Sequence, residues 1–280
     1  MSDCDSCTKE DCANCASKDN KPSPQDEAIA SFLSQVKHKL VIMSGKGGVG
    51  KSTVATDIAL LLSEKGFKVG LLDVDLHGPS IAGILGLVGT PLTAIGDKMI
   101  PYHYNDNLYV MTIQGIMQDK DAALIWRGPV KIGVIRQFMS DTQWPALDYL
   151  IIDCPPGTGD EPLTVIQTIK DVEAVIVTTP QKIALDDVRK SISFCTMAEV
   201  PIAGIVENMS GLVCPHCHEV IDVFKTGGGE ALAAEKEITF LGRLPMDPAV
   251  VMADDAGNPL DNLGIATKSA LEGIVNKLVK

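Results

Sequence analysis

Short runs of apolar, β-branched residues recur along the chain from residue 39 onward, separated by polar and glycine-containing stretches. The runs fall at 40–43, 69–72, 108–112, 149–152, 174–178, 202–206 and 238–241. Because they are nearly continuous rather than alternating, they predict strands buried on both faces, as in a parallel sheet covered by helices. Amphipathic segments with helical spacing lie between most of them, for example at 52–65 and 185–197. The alternation predicts an α/β fold, a doubly wound and mostly parallel sheet with right-handed crossovers.

The two ends of the chain differ from this pattern. Residues 1–28 are polar, with two prolines and almost no large apolar side chains, so they cannot bury enough surface to offset their conformational entropy. We therefore expect a flexible tail over 1–28 and one folded domain over 29–280. Residues 265–279 form an amphipathic pattern without aromatic anchors, which predicts a helix packed on the domain rather than on a membrane.

Charge and hydropathy narrow the range of partners. The chain has 24 basic and 36 acidic residues, a formal net charge of −12, and no dense basic run. Nonspecific nucleic-acid binding needs clustered Lys and Arg, so we expect no nucleic-acid partner. The longest apolar stretches, near 58–62 and 81–88, are too short to span a bilayer, and no signal-like segment opens the chain. A cytoplasmic protein with no membrane partner is expected.

A phosphate-binding loop follows the first predicted strand. The segment reads Gly45-Lys46-Gly47-Gly48-Val49-Gly50-Lys51-Ser52, which fits the P-loop pattern G-x-x-x-x-G-K-[ST], and Thr53 continues into the predicted helix. Glycines let the backbone aim several N–H groups at one phosphate, and the helix N-terminus adds positive potential. Lys51 is expected to neutralise the β- and γ-phosphates of ATP, and the Ser52 hydroxyl to bind Mg²⁺.

Lys46 is an addition to the plain motif. It resembles the second lysine of the deviant Walker A (SIMIBI) class of P-loop NTPases, which includes MinD, ParA and nitrogenase iron protein. The resemblance implies a homodimer that hydrolyses ATP between facing subunits, with Lys46 reaching the partner's nucleotide. A lysine in that position supplies charge to the transferring phosphoryl group as an arginine finger does.

Carboxylates end two of the predicted strands, at the edge of the sheet where α/β proteins bind ligands. Asp73 and Asp75 follow the strand at 69–72, and Asp153 follows the strand at 149–152. Asp75 is the candidate for orienting the attacking water, supported by Asp73, while Asp153 is expected near the metal. Residues 154–160 resemble a switch that senses the γ-phosphate.

The candidate residues for the base of the nucleotide are fewer. Asn208 follows the strand at 202–206 and has both a donor and an acceptor for an adenine edge. Pro245, in the segment 245–248, is expected to line the ring. An asparagine after a strand is also an ordinary turn residue.

Six of the eight cysteines occur in close pairs. The C-x-x-C pairs are Cys214 with Cys217, Cys4 with Cys7, and Cys12 with Cys15, whereas Cys154 and Cys195 stand alone in apolar settings. In a reducing compartment such pairs indicate metal or redox chemistry, and the isolated cysteines are expected to be buried.

Together these motifs resemble the Mrp/ApbC-type ATPases, which carry iron–sulfur clusters. The matching segments are 45–52, 73–80, 153–160, 179–181, 207–210 and 214–217. The resemblance implies a P-loop ATPase with a cluster-binding insertion near 211–229. It also implies a [4Fe–4S] cluster bridged between the Cys214 and Cys217 pairs of two subunits and delivered to apo-proteins.

The sequence leaves alternatives open on three questions: what the Cys214–Cys217 pair binds, what the N-terminal cysteines bind, and what the ATPase acts on. Zinc could take the cysteine pair, or the pair could act as a redox dithiol. The four N-terminal cysteines are expected to hold a second cluster, with zinc or an empty tail as the other options. The alternative function is a ParA/MinD-like positioning ATPase acting on DNA or membrane.

Overall fold

The structure is a computed structural model that describes residues 22–76, 78–116, 128–214, 216–217 and 219–280. Its twelve strands are β1 (Val36–Ser44), β2 (Val69–Asp73), β3 (Thr93–Ile95), β4 (Lys98–Ile100), β5 (Tyr102–Asn105), β6 (Leu108–Met111), β7 (Leu147–Asp153), β8 (Val172–Thr178), β9 (Ile202–Glu207), β10 (Leu212–Val213), β11 (Val220–Ile221) and β12 (Phe240–Arg243). The α-helices are α1 (Pro24–Leu33), α2 (Lys51–Glu64), α3 (Ile81–Ile84), α4 (Gly128–Ser140), α5 (Asp160–Thr168), α6 (Lys182–Met197), α7 (Gly228–Glu235), α8 (Pro248–Asp255) and α9 (Ile265–Leu278).

Eight strands form one sheet in the order β12-β9-β8-β1-β7-β2-β6-β5. Neighbouring strands are parallel except at one edge, where β5 pairs antiparallel with β6. The predicted doubly wound, mostly parallel α/β fold is therefore confirmed. All seven predicted strands are present, although the last begins at Phe240 rather than at residue 238, because Glu237 takes a left-handed conformation (φ 54°) after α7.

The core has one layer on each face of the sheet. Successive residues of β1 point to opposite faces: Leu40 and Ile42 pack with α2 and α9, whereas Val41 and Met43 pack with α1 and α4. This geometry explains why the middle segments of the central strands, such as 40–43, 149–152 and 174–177, are continuously apolar. Leu271, Ile274 and Leu278 bury the inner face of α9 against the same layer as α2, so the C-terminal amphipathic pattern is a packing face, as predicted.

Helix α1 lies partly within the segment that the composition predicts as a flexible tail. It begins at Pro24, because Ser23 forms a capping box with Asp26 and a proline suits the first helical position. Ile29, Phe32 and Leu33 are buried in the core layer that also contains α4. The folded part of the chain therefore starts before the expected boundary at residue 28.

Two small antiparallel pairs lie outside the main sheet, β3 with β4 and β10 with β11. Among the helices that the structure describes, none is both long enough and apolar enough to cross a membrane. Cys154 and Cys195 are buried, as predicted, and burial raises the pKa of each thiol, in Cys195 to about 11.

Candidate functional site

The P-loop joins the end of β1 to the start of α2 at the carboxyl edge of the sheet. Gly48 and Gly50 both adopt left-handed conformations, with φ 78° and 77°. Two features exclude a side chain at Gly50. The left-handed conformation is strained for other residues, and an added Cβ would lie 2.2 Å from Nδ2 of Asn208. Asn208 in turn donates through Nδ2 to the carbonyl oxygen of Val49, at 2.9 Å. The loop is therefore held against the end of β9.

Lys51 lies at the first turn of α2 and is only 6% exposed. Its Nζ is 2.5 Å from Oδ1 of Asp153 and 3.2 Å from the Ser52 hydroxyl. Burial raises the pKa of Asp153, and the neighbouring Lys51 opposes that rise. The second oxygen of this carboxylate, Oδ2, is buried with no hydrogen-bond partner in the described part of the chain. An unused anionic oxygen beside a serine hydroxyl fits a divalent cation, and the adjacent ammonium fits phosphate.

Asp73 and Asp75 take different positions, although they are two residues apart. Asp73 is fully buried at the end of β2, directly opposite Asp153 in the sheet register, and it accepts from Thr112 Oγ1 at 3.1 Å. Burial and the charge of Asp153 raise the pKa of Asp73 well above its usual value. The backbone N–H of Asp75 donates to Oδ1 of Asp73, at 3.1 Å. Asp73 therefore supports the loop that presents Asp75.

A cavity of about 420 Å³ lies over the P-loop. It is lined by Gly47, Gly48, Lys51, Ser52, Asp75 and Pro156, among others. Pro156 brings the predicted switch segment into the wall, and Gly157 of that segment is bonded to the end of β1 through its N–H to Ser44 O, at 2.8 Å. Of the predicted carboxylates, Asp75 lines this cavity, while Asp73 and Asp153 lie behind it and contact Asp75 and Lys51.

A second cavity of about 600 Å³ adjoins the first, since Gly50, Thr53, Val251 and Asp254 line both. The predicted Asn208 and Pro245 lie in its wall, which is otherwise mainly apolar. Apolar walls beside a phosphate site suit a flat aromatic base. The larger cavity is hereafter called the base cavity.

Lys46 is half-buried in the loop, on the side where Gly45 packs tightly against the backbone of Asp187 in α6. Its carbonyl oxygen accepts from the Ser44 hydroxyl, at 3.0 Å. Within the residues that the structure describes, its ammonium group forms no ion pair. The position leaves Lys46 available to a group outside this chain.

Cys214 and Cys217 lie at the tip of the β10–β11 hairpin, which the Cys214 N–H closes by donating to Glu219 O at 2.9 Å. Cys214 is half-buried and Cys217 exposed. Hydrogen bonds from the backbone of Cys217 and His216 lower the pKa of the Cys214 thiol, which favours the thiolate that binds metals. Among the described residues of a single chain, no three His, Cys, Asp or Glu side chains are grouped to hold a metal ion. Cys4, Cys7, Cys12 and Cys15 lie outside the described residues.

Glu207 at the end of β9 was not predicted from the sequence as a site residue. Its buried carboxylate accepts from the Ser210 hydroxyl at 2.5 Å and from the backbone of Gly227 at 2.8 Å, as well as from Gly229. Ser210 and Gly227 are the two ends of the segment that carries the cysteine pair. The only sequence signal was its place beside Asn208, because nothing local shows that this glutamate is buried.

Asp57 and Asp254 are two further carboxylates that sequence reasoning missed. Both line the base cavity, and Thr53 Oγ1 donates to Asp254 at 3.2 Å. Burial and the charge of Asp254 raise the pKa of Asp57 well above its usual value. A charged residue on the inner side of α2 is a departure from the helix's apolar pattern, which is the signal that could have identified Asp57.

Sequence comparison finds relatives along nearly the whole chain. The ParA family model, described as NUBPL iron-transfer P-loop NTPase, matches residues 35–279. An iron–sulfur cluster carrier protein of Methanocaldococcus jannaschii is 45% identical, over 100% of this chain and 98% of its own length. A cytosolic Fe-S cluster assembly factor, the Nubp2 homolog of Drosophila melanogaster, is 49% identical over 88% of this chain and 98% of its own.

Solved structures agree with the fold. A nucleotide-binding protein from Archaeoglobus fulgidus, in complex with ADP, has a TM-score of 0.73 and 38% identity, covering 83% of this chain and 91% of its own. The cell division ATPase MinD of Pyrococcus furiosus has a TM-score of 0.62 over 86% of this chain and 98% of its own. At 23% identity, the second likeness supports the fold alone.

Proposed function

Because the chain belongs to the ParA/NUBPL family of iron-transfer P-loop NTPases, we propose that it is a cytoplasmic, ATP-dependent carrier of iron–sulfur clusters. In this proposal a homodimer holds a [4Fe–4S] cluster between its subunits and delivers it to apo-proteins, with ATP binding and hydrolysis as the switch. The observation that carries the proposal is the cysteine hairpin, whose first strand also lines the base cavity.

In this proposal the nucleotide occupies the two adjoining cavities, with its phosphates in the smaller one and its base in the larger one. The backbone of the P-loop and Lys51 hold the phosphates, while Ser52 binds Mg²⁺ with Asp153 close behind it. Pro245 and Asn208 line the base. When the nucleotide arrives, its phosphates replace Asp153 as the partner of Lys51, so the ammonium group is never left unpaired in a buried place.

Hydrolysis requires a water molecule to attack the γ-phosphorus as the bond to the bridging oxygen of ADP breaks. Asp75 borders the phosphate cavity and is the group that orients this water. Lys46 of each subunit stabilises the charge that develops on the nucleotide of the other subunit. Because this second lysine comes from the facing chain, hydrolysis depends on the dimer.

The cluster is the cargo, and each chain supplies half of its site. A [4Fe–4S] cluster needs four thiolates, whereas Cys214 and Cys217 provide two. A two-fold axis next to the hairpin brings the same pair from the second subunit, giving four. Transfer is then a ligand exchange, in which thiolates of the recipient replace those of the carrier without a change in the number of electrons.

Neighbouring residues connect the nucleotide site to the cysteine hairpin. Leu212 of β10 lines the base cavity, and its backbone pairs with Met246, which lines the same cavity. Cys214 follows Leu212 by two residues. A nucleotide that moves the 245–248 segment therefore moves the base of the cysteine hairpin, which couples nucleotide state to cluster affinity.

Cluster transfer to an apo [4Fe–4S] dehydratase, measured anaerobically by the return of its activity, tests this function. We expect the loaded wild-type protein to restore activity and Cys214→Ala to fail while still binding ATP. Lys51→Ala should carry the cluster but lose the dependence of transfer on ATP. Equal transfer by wild type and Cys214→Ala would contradict the proposed function.

A further inference from the structure

The base cavity contains one polar side chain that the fold leaves without a partner. Asp57 lies on α2, one helical turn after Thr53, and is 4% exposed. Its carboxyl group borders the base cavity but forms no hydrogen bond or ion pair with any of the described residues. Buried carboxyl groups nearly always have a partner, so an unpartnered one at a ligand cavity indicates a group that the ligand satisfies.

Every other polar side chain that lines the base cavity is already engaged. Asn208 bonds Val49 O and accepts from Met209 N at 2.9 Å, which ties its amide to the P-loop. Thr53 bonds Asp254, at 3.2 Å. Asp247 accepts from Ala249 N and Gly264 N, both at 2.9 Å, and from the Thr267 hydroxyl at 2.7 Å. Among the described residues, Asp57 is therefore the polar side chain of this cavity that has no hydrogen bond of its own.

We propose that Asp57 selects the base of the nucleotide by hydrogen-bonding the edge of adenine that carries the ring nitrogen N1 and the amino group. This inference rests on the proposed nucleotide site and deepens it, because it assigns the choice between ATP and GTP to one residue. In this proposal Asn208 and Pro245 shape the cavity, whereas Asp57 forms the hydrogen bonds that distinguish adenine from guanine.

The protonation state of Asp57 decides which base it matches. A neutral carboxyl group has one donor and one acceptor, which complement N1 and the amino group of adenine. An ionised carboxylate only accepts, and it would match the two adjacent N–H groups of guanine instead. The charged side chains that line the cavity together with Asp57 are Asp254 on α8 and Asp247 just before it, and no Lys, Arg or His of the described residues lines it. Asp254 is the one whose charge acts on Asp57. These acidic surroundings favour the neutral form, and with it adenine.

Two substitutions separate the proposed role from a structural one. Asp57→Leu keeps the branched shape of the side chain and removes both hydrogen bonds, so the ratio of ATP affinity to GTP affinity should fall about tenfold. Asp57→Asn presents the same donor and acceptor as the neutral acid, and it should keep the wild-type preference. Glu64→Gln, at the exposed end of the same helix, is the matched control and should change nothing.

Calorimetric titration of the full-length protein with Mg·ATP and Mg·GTP measures these ratios, and thermal unfolding checks that each variant is folded. A folded Asp57→Leu protein with the wild-type ratio would overturn the base-reading role and leave the proposed function standing. Loss of the ATP preference in Asp57→Asn would overturn it as well. A wild-type protein that binds neither nucleotide would overturn the proposed function and this role together.

Discussion

The two lysines of the P-loop differ in what surrounds them. Lys51 is buried and paired with Asp153 at 2.5 Å, whereas Lys46 is half-buried and forms no ion pair among the described residues. A buried ion pair contributes little net stability, because desolvation offsets most of the attraction. Its value here is that it keeps an ammonium group in place for a phosphate.

Substituting each lysine should therefore give a different kinetic result. Lys46→Ala should bind ATP with nearly unchanged affinity but hydrolyse it about 10²- to 10³-fold more slowly, because charge stabilisation of the transition state is lost. Lys51→Ala should lose binding and hydrolysis together. Titration with ATP and phosphate release measure the two effects, with Lys65→Ala, at the exposed residue just after α2, as control. Normal hydrolysis by Lys46→Ala would contradict the shared site.

Residues of the site could be predicted from the sequence where a local motif carries the chemistry. Lys51, Ser52, Asp75 and Asp153 follow from a glycine-rich loop and from strand ends. In the structure the first three line one cavity, and Asp153 lies behind it, bonded to Lys51. Asp57 belongs to no local motif, and its sequence signal is only that it is a charged residue on the otherwise apolar side of α2. The cavity that it borders is completed by α8, which lies far along the chain.

At the scale of elements, the clearest difference between pattern and structure is α1. Its apolar positions are few, so composition alone favours a tail, but the capping box and the packing of Phe32 against Trp144 hold the helix in place. Strands β10 and β11 have two residues each, too few for a periodic signal. The long buried strands, by contrast, could be identified because each contains an uninterrupted apolar run, as at 40–43, 149–152 and 174–177.

The stability that the Asp26 carboxylate contributes at α1 should depend on pH. Hydrogen bonds from Ser23 and from Arg136 lower the pKa of Asp26 to about 2. A lowered pKa in the folded state means that this carboxylate stabilises the fold above its ordinary pKa of 3.8, and that the contribution is lost as the pH falls towards 2. Asp26→Asn should therefore lower the melting temperature at pH 7, with a smaller difference from wild type at pH 3. An equal difference at both pH values would contradict the ion pair.

Glu207 anchors both ends of the cysteine segment, so its removal should loosen that segment alone. Glu207→Ala leaves buried N–H groups at the start of α7 unpaired and should cost about 2–3 kcal/mol of stability. Hydrogen exchange should rise in β10 and β11, while ATP affinity changes little. The control is Glu230→Ala on α7, which removes an exposed ion pair with Arg243 of β12. Unchanged exchange in the hairpin of Glu207→Ala would show that Glu207 does not hold it.

At the scale of the whole molecule, one chain carries a complete P-loop, whereas its β10–β11 hairpin supplies two of the four thiolates that a bridged cluster needs. Under the proposed function, a second copy of the chain completes the cluster site, and its Lys46 completes the site of hydrolysis. The same dimer interface would thus serve both activities, which explains how a nucleotide can control a cluster. The fold class could be predicted from the strand–helix alternation, whereas the interface could not, because it depends on surfaces that no local pattern reveals.

Iron and sulfide per chain, measured together with the molecular mass, test the bridged cluster most directly. The full-length protein with Cys4, Cys7, Cys12 and Cys15 changed to Ser is loaded anaerobically and passed through size-exclusion chromatography with light scattering. We expect a dimer with about four irons and four sulfides per two chains, and an iron-free protein when Cys214→Ser is added. A loaded monomer, or iron retained at the same level without Cys214, would contradict the bridged cluster.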